Sequence, residues 1–482
     1  MNTTDFERIF HPRRVAVVGV SAEGFGFGRG IFLSLLAMNF DGELLPVNPR
    51  GGEICGRKIY PGVEEIPGEI DFAVIAVGAA QVPETLERCR RKGAAGAEII
   101  SSGFRELGTP EGAAREAAII DVANKGIRVI GPNCFGIYCP KSGLTMLPGP
   151  DLSRESGPVA FISQSGGMAI DLAFMGPWLG VKFSKMVSFG NGADLRETEL
   201  LDYFRTDPET GIISLYMEGV ADGGDFLRAL KAAAAVKPVI VYKGGLSAAG
   251  QRAVTSHTAS LGGSRVIWEA ALHQAGAIQV HSLEELAQAC LAFSLLPRRP
   301  YRGITVAGGG GALGVAACDM AETYDLTLPR LEGEIYDAVL ACLPQPGSSA
   351  ANPIDIANPY VPPKMIKQAL LHAARDPRVD IQIQAPLLYH FKALGAMMGV
   401  ASFPEITPYA ELAAVLREVA DTSGKPVVVV LPNPRRRIDD LDVEEVLRKA
   451  RQAFLSRGIP VFDGLSEAMR AIRHAAASAL WA

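Results

Sequence analysis

Seven cysteines, Cys55, Cys89, Cys134, Cys139, Cys290, Cys318 and Cys342, are scattered over the 482 residues without a C-x-x-C or any His/Cys ligand spacing. That absence excludes a disulfide framework and the usual zinc patterns, so no metal site is expected, and it fits a reduced cytoplasm. No run of about 18 apolar residues occurs, so no membrane span is expected. The first residues, Met1-Asn-Thr-Thr-Asp-Phe-Glu-Arg8, lack the basic and apolar regions of a secretory signal, and none is expected. A basic field is missing too. The net charge is −5, the pI is near 5.9, and the run Arg435-Arg436-Arg437 is followed at once by Asp439, Asp440 and Asp442. Nucleic acid and anionic membranes are therefore not expected partners. Finally, the chain has no Walker A pattern.

What is present has the balance of a globular protein, with 48% hydrophobic and 21% charged residues. The length predicts roughly three domains. Arg13–Val20 reads as a buried parallel strand that breaks into Ser21-Ala-Glu-Gly-Phe-Gly-Phe-Gly-Arg-Gly30 and then the helical stretch Ile31–Met38. Strand, glycine-rich turn and helix is an arrangement that cradles phosphate at the helix N-terminus. Further strands at Leu44–Val47, Phe72–Val77, Ala97–Ile100 and Arg128–Ile130 alternate with helices at Val82–Lys92 and Glu111–Lys125, which predicts a Rossmann-like doubly wound sheet. The glycines give no clean G-x-G-x-x-G. The second strand runs into Val47-Asn-Pro-Arg50, where an NAD site would carry an acid for the ribose. Arginine there suits a phosphate, so the segment favours NADP or coenzyme A.

Beyond a Pro/Gly-rich link, two α/β units echo one another. Gly157-Pro-Val-Ala-Phe-Ile-Ser-Gln-Ser-Gly-Gly167 resembles Arg302-Gly-Ile-Thr-Val-Ala-Gly-Gly-Gly-Gly311, Asp207-Pro208 recurs as Asp376-Pro377, and Lys237-Pro-Val-Ile-Val241 recurs as Lys425-Pro-Val-Val-Val429. Each unit puts a glycine turn at the head of a helix, near Gly166 and near Gly311. Such ends carry about half a positive charge and free amides, and two converging on one point would hold a phosphate. Either turn alone serves equally well for tight strand-to-helix packing.

Between them lies Val241-Tyr-Lys-Gly-Gly-Leu-Ser-Ala-Ala-Gly-Gln-Arg-Ala-Val-Thr-Ser-His-Thr-Ala-Ser-Leu-Gly-Gly263, read as a small-residue loop after a strand, with His257 as its one imidazole. A neutral imidazole can attack phosphorus and later surrender it. A lone histidine in such a loop is more often a surface residue. Glu218, in Leu215-Tyr-Met-Glu-Gly-Val220, stands at the carboxyl end of a strand, where ligands of open α/β sheets gather, and could orient His257; otherwise it is a loop carboxylate. His11, His273, His281, His372, His390 and His474 have no such neighbours in the sequence.

The motifs Val47-Asn-Pro-Arg-Gly-Gly-Glu53, Gly131-Pro-Asn-Cys134, Ser163-Gln-Ser-Gly-Gly167, Phe189-Gly-Asn-Gly-Ala-Asp194, Tyr216-Met-Glu-Gly219, Ser256-His-Thr-Ala-Ser-Leu-Gly-Gly263 and Asn352-Pro-Ile-Asp-Ile356 together resemble the α subunit of NDP-forming, specifically ADP-forming, acyl-CoA synthetases, relatives of succinyl-CoA synthetase. The resemblance covers nearly the whole length. It implies α/β architecture: a Rossmann-like CoA-binding domain at 1–143 followed by two flavodoxin-like doubly wound domains at 144–299 and 300–482. It implies that His257 is phosphorylated and Glu218 orients it. Phosphate would be held at Ser163, Ser165, Gly166 and Gly167 and at Gly309, Gly310 and Gly311, and CoA at Ser21, Gly24, Asn48, Arg50 and Asn133. The implied reaction runs from acyl-CoA and phosphate through acyl phosphate and phosphohistidine to ATP. The nucleotide, ADP or ATP with Mg, would sit on a separate ATP-grasp β subunit, in the cytoplasm. Lysine is frequent in the family where Arg50 stands, glycine at Ala259, alanine at Gly262 and leucine at Phe135; these departures remove no catalytic group, but leave the acyl group open. A non-catalytic CoA- or nucleotide-binding regulator and an NADP-dependent oxidoreductase are the competing readings.

Overall fold

The computed structural model describes residues 3–145, 151–258, 264–399 and 403–478, with the main chain alone at 3–5, 254–258, 404 and 478. They form two compact units, Met1–Cys290 and Leu291–Ala482.

The first unit holds two sheets. In one, five parallel strands lie in the order Glu43–Val47, Arg14–Val18, Phe72–Ile75, Gly96–Ile99 and Arg128–Ile130. Numbered along the chain this order is 2-1-3-4-5. The strands are runs of buried apolar residues because helices cover both faces. The helix Phe27–Ala37 lays Ile31, Phe32 and Leu35 on the sheet. The helix Pro110–Ala123 is started by Thr109, whose hydroxyl accepts from the Gly112 amide, with proline at its first position.

The second sheet carries the parallel strands Phe183–Ser188, Ser156–Ser163, Ile212–Met217, Val239–Lys243 and Ile278–Val280, again in the order 2-1-3-4-5. Gly136–Tyr138, in the span predicted as the first domain, joins this sheet as an antiparallel edge on Phe183–Ser188.

The second unit repeats the pattern a third time, with Ile354–Asp355, Ile304–Gly308, Ile381–Ala385, Val427–Val430 and Val461–Phe462 side by side and parallel. The echo between the last two sheets extends to contacts. Lys237 Nζ donates to the Asp207 carbonyl at 2.7 Å, and Lys425 Nζ to the Asp376 carbonyl at 2.7 Å.

A 2-1-3-4-5 sheet reverses its winding between the first and third strands, and that crevice, at the carboxyl ends, is where such folds bind ligands. In the three sheets it falls beside Val18 and Ile75, beside Ser163 and Met217, and beside Gly308 and Ala385. Among the described residues no helix is long and apolar enough to cross a membrane, and no group of three or more His, Cys, Asp or Glu is placed to hold a metal.

Candidate active site

At the crevice of the second sheet the strand Ser156–Ser163 passes into the helix Gly166–Leu179. Ser165 caps that helix, its hydroxyl accepting from the Met168 amide at 3.4 Å, while the Ser163 hydroxyl donates to the Ser165 carbonyl at 2.7 Å. The amides of Gly166 and Gly167 are among the first-turn donors that a helix cannot satisfy internally. Across the crevice stands Glu218, buried at 6% exposure. Its amide and that of Gly219 both donate to Gln164 Oε1, at 2.7 and 3.1 Å. The Tyr216 hydroxyl donates to Glu218 Oε1 at 3.2 Å. Burial, and then the neighbouring Glu218, raise the Tyr216 pKa, so the phenol keeps its proton and acts as donor. Glu218 Oε2 is buried and receives no hydrogen bond among the described residues. An unpaired carboxylate oxygen out of water costs about 1–3 kcal/mol or more, which marks a position for a donor.

Lys243 ends the next strand, Val239–Lys243. Its Nζ donates to the Glu218 carbonyl at 2.9 Å and to the Gly244 carbonyl, and lies 4.9 Å from the centre of the Trp268 ring. Burial lowers its pKa to about 8, against the opposing pull of Glu218. Glycine at 244 has a steric reason: a Cβ there would lie 2.6 Å from the Tyr216 hydroxyl.

The segment that follows corrects the sequence reading. Instead of a loop, Ala248–Thr258 is a helix, so the main chain of His257 sits in its last turn. Ala248, Ala249, Gln251, Arg252 and Ala253 are good helix formers, and together they outweigh Gly250. The side chain of His257 and all of residues 259–263 lie outside the described residues, as does the Ser-His-Thr motif's continuation.

In the second unit the equivalent turn is Gly308–Gly311, leading into the helix Gly311–Thr323. Gly310 takes φ +101°, a backbone only glycine adopts readily, and its amide donates to Asp355 Oδ1 at 3.0 Å. A carboxylate of the Asn352-Pro-Ile-Asp-Ile356 motif thus occupies one of the amides assigned to phosphate. A cavity of about 260 Å³ opens beside this helix start, lined by Gly310, Gly311, Gly314, Cys318, Ser349 and Asp355 among others.

In the first sheet the residues assigned to CoA all follow strand ends on the carboxyl edge. The loop of Ser21 and Gly24 is neighbour to that of Asn48 and Arg50: a Cβ at Gly52 would be 3.5 Å from that of Ala22. Asn48 Oδ1 accepts from the Arg50 amide at 3.0 Å, and the Arg50 side chain is exposed. Asn133 sits at the far edge strand, its Nδ2 donating to Asn191 Oδ1 at 3.4 Å. Four strand spacings separate the two edges, roughly 19 Å. An ion cannot touch both groups, whereas an extended nucleotide such as CoA fits that span.

Two family models match the chain: a CoA binding domain over residues 13–140 and a succinyl-CoA ligase-like flavodoxin domain over residues 156–293. The α subunit of acetate–CoA ligase (ADP-forming) II of Pyrococcus furiosus is 34% identical over 458 residues, covering 94% of this chain and 93% of its own. The chain belongs to the ADP-forming acyl-CoA synthetase family.

Two further relatives place it within that family. A solved structure titled as the dinucleotide-forming acetyl-coenzyme A synthetase 1 of Ca. Korarchaeum cryptofilum, in complex with phosphate and ADP, matches with a TM-score of 0.82 and 31% identity over 99% of this chain and 97% of that one. Acetate–CoA ligase (ADP-forming) I of Archaeoglobus fulgidus is 38% identical over 376 residues, but this chain spans only about half of it, 54%.

Sequence reasoning missed the surroundings of Glu218. Tyr216 stands two residues before it on the same strand, whereas Gln164 and Lys243 meet it only through strand register, 54 and 25 residues of chain away. The available signal was a polar side chain directly after an apolar strand, at Gln164 and again at Lys243.

Proposed function

We propose that the chain is the α subunit of an acid–thiol ligase that interconverts acyl-CoA, ADP and phosphate with acid, CoA and ATP through an acyl phosphate and a phosphohistidine at His257. The observation that carries this reading is the buried Glu218 Oε2, which receives no hydrogen bond among the described residues. One imidazole N–H donates to that oxygen, which fixes the tautomer and leaves the other nitrogen's lone pair for phosphorus. Phosphate first attacks the thioester carbonyl, the C–S bond breaks, and CoA leaves as a thiolate that takes up a proton. The free ring nitrogen then attacks the phosphorus of the acyl phosphate, and the carboxylate departs. In the last step an oxygen of the ADP β-phosphate attacks, and the N–P bond breaks.

The other roles follow from position. The Gly166 and Gly167 amides and the Ser163 and Ser165 turn face the phosphoryl group at a helix start. The Gly309 and Gly311 amides of the second unit serve the same chemistry, Gly310 being held by Asp355. Ser21, Gly24, Asn48, Arg50 and Asn133 take CoA along the first sheet. The family matches at 13–140 and 156–293 support domains at 1–143 and 144–299, and the separate third sheet supports one at 300–482. ADP or ATP with Mg belongs to an ATP-grasp β subunit in a hetero-oligomer, as the naming of the P. furiosus relative as a subunit α supports. A cytoplasmic setting suits CoA and ADP, and all seven cysteines are free thiols.

The test is to incubate the purified chain with radiolabelled phosphate and a panel of acyl-CoAs, scoring acid-labile, base-stable label. Label on the wild type and none on His257→Ala is expected, and the acyl-CoA that labels best names the substrate class. If no acyl-CoA labels, ATP with a candidate β subunit is supplied; absence of label there too rejects the enzyme.

A further inference from the structure

Every polar group of Glu218 but one is held. The amide is fixed by Gln164, Oε1 by Tyr216 and the carbonyl by Lys243, leaving Oε2 alone to receive a donor. Of these three partners Lys243 is the one that packing does not explain. The strand register pairs Tyr216 with Ser163 and with Tyr242 in the second sheet, and Ala385 with Gly308 in the third, so that Leu431 is the counterpart of Lys243. The repeats Asp207-Pro208 with Asp376-Pro377 and Lys237-Pro238 with Lys425-Pro426 give the same offset. Leu431 is buried at 3% exposure, so the fold is satisfied by an apolar residue there. Burying an ammonium instead is costly unless it is compensated. Here two carbonyls, the face of Trp268 and the nearby charge of Glu218 provide that compensation.

We propose that Lys243 is a positioning residue for Glu218, holding its main chain and lending the buried carboxylate a charge partner so that Oε2 stays aimed for the imidazole. The proposal rests on the phosphohistidine reading above. Trp268 lies beyond the histidine-bearing segment and Lys243 immediately before it, so the same ammonium ties the segment's two ends together. The titratable groups facing it are Glu218 and, through Glu218, Tyr216, whose ring packs edge-on to that of Tyr242 at 5.2 Å.

Lys243→Met and Lys243→Arg, made in the full chain, test this with the phosphate-labelling assay across pH, alongside Glu218→Gln and His257→Ala. Wild-type labelling should fall above about pH 8 as Lys243 loses its proton. Lys243→Arg, whose guanidinium stays charged, should lose that alkaline fall. Lys243→Met should lower labelling by about 100-fold, the usual cost of a misplaced catalytic group, with CoA binding retained. Adding Lys243→Met to Glu218→Gln should lower it little below Glu218→Gln alone, because Lys243 acts only through Glu218. Labelling by Lys243→Met at the wild-type rate overturns the proposal and leaves His257 in place. If Lys243→Met does not fold, the Lys243→Arg profile decides: an unchanged alkaline fall overturns it. Label retained by His257→Ala, or absent from the wild type both with acyl-CoAs and with ATP and a β subunit, rejects the phosphohistidine reading and this proposal with it.

Discussion

The second and third sheets are one scaffold used twice, and they differ where the chemistry is. Aligned by register, Ser163-Gln-Ser-Gly166 corresponds to Gly308-Gly-Gly-Gly311, Glu218 to Leu387 and Lys243 to Leu431. Both copies keep the strand, the glycine turn and the helix start. Only the first has an acid, an amide and a cation around the crevice. In the second, Leu387 packs at Gly309, where a Cβ would meet its Cδ1 at 3.1 Å, and a carboxylate from a different element, Asp355, holds the turn. The backbone therefore explains where an anion could rest, and the side chains that follow the third and fourth strands explain why one copy alone can orient an imidazole.

The most forceful way to break this contrast is at the Glu218 and Leu387 pair. Glu218→Gln is expected to lower labelling by about 100- to 10,000-fold without loss of CoA binding, because the amide no longer offers a carboxylate to the imidazole N–H. Leu387→Gln should leave labelling at the wild-type level. A second buried carboxyl, Glu98, sharpens the comparison from the other side. It accepts from the Ile137 amide at 2.9 Å, and burial pushes its pKa up to about 8. Between the unfolded value near 4.5 and about 8 the folded chain holds a proton that the unfolded chain has lost, so stability falls as pH rises through that window. The slope is at most about 1.4 kcal/mol per pH unit. Glu98→Gln should flatten it in urea denaturation series run at several pH values.

Smaller effects separate the two turns themselves. Gln164→Ala leaves the buried amides of Glu218 and Gly219 without an acceptor, at about 1–3 kcal/mol each. Gly309→Ala meets only the end of a leucine and should cost less than about 1 kcal/mol. Ser165→Ala removes a helix cap worth about 1 kcal/mol, measurable as a lower urea midpoint.

Much of this was legible before any coordinates. The apolar runs at Phe72–Ile75 and Arg128–Ile130 form strands where the sequence predicts them, because strands buried on both faces leave unbroken runs. The duplication was visible in Asp207-Pro208 and Lys237-Pro238, and Glu218 announced itself as an acid at a strand end. The 248–258 stretch was misread because its one glycine, Gly250, and its small residues suit a loop and its alanines suit a helix, a balance set by local propensity and not by any hydrophobic period. The roles of Gln164 and Lys243 were hidden, since they depend on which strand lies beside which, and pairing across 25 to 54 residues leaves no local trace.

The central claim is that His257 takes the phosphoryl group under the direction of Glu218. Peptide mapping of the acid-labile label on wild-type and Glu218→Gln chains tests it most directly. The account predicts all label on the peptide containing His257 in the wild type and almost none in Glu218→Gln. Label on another residue, or equal labelling of the two chains, would contradict it.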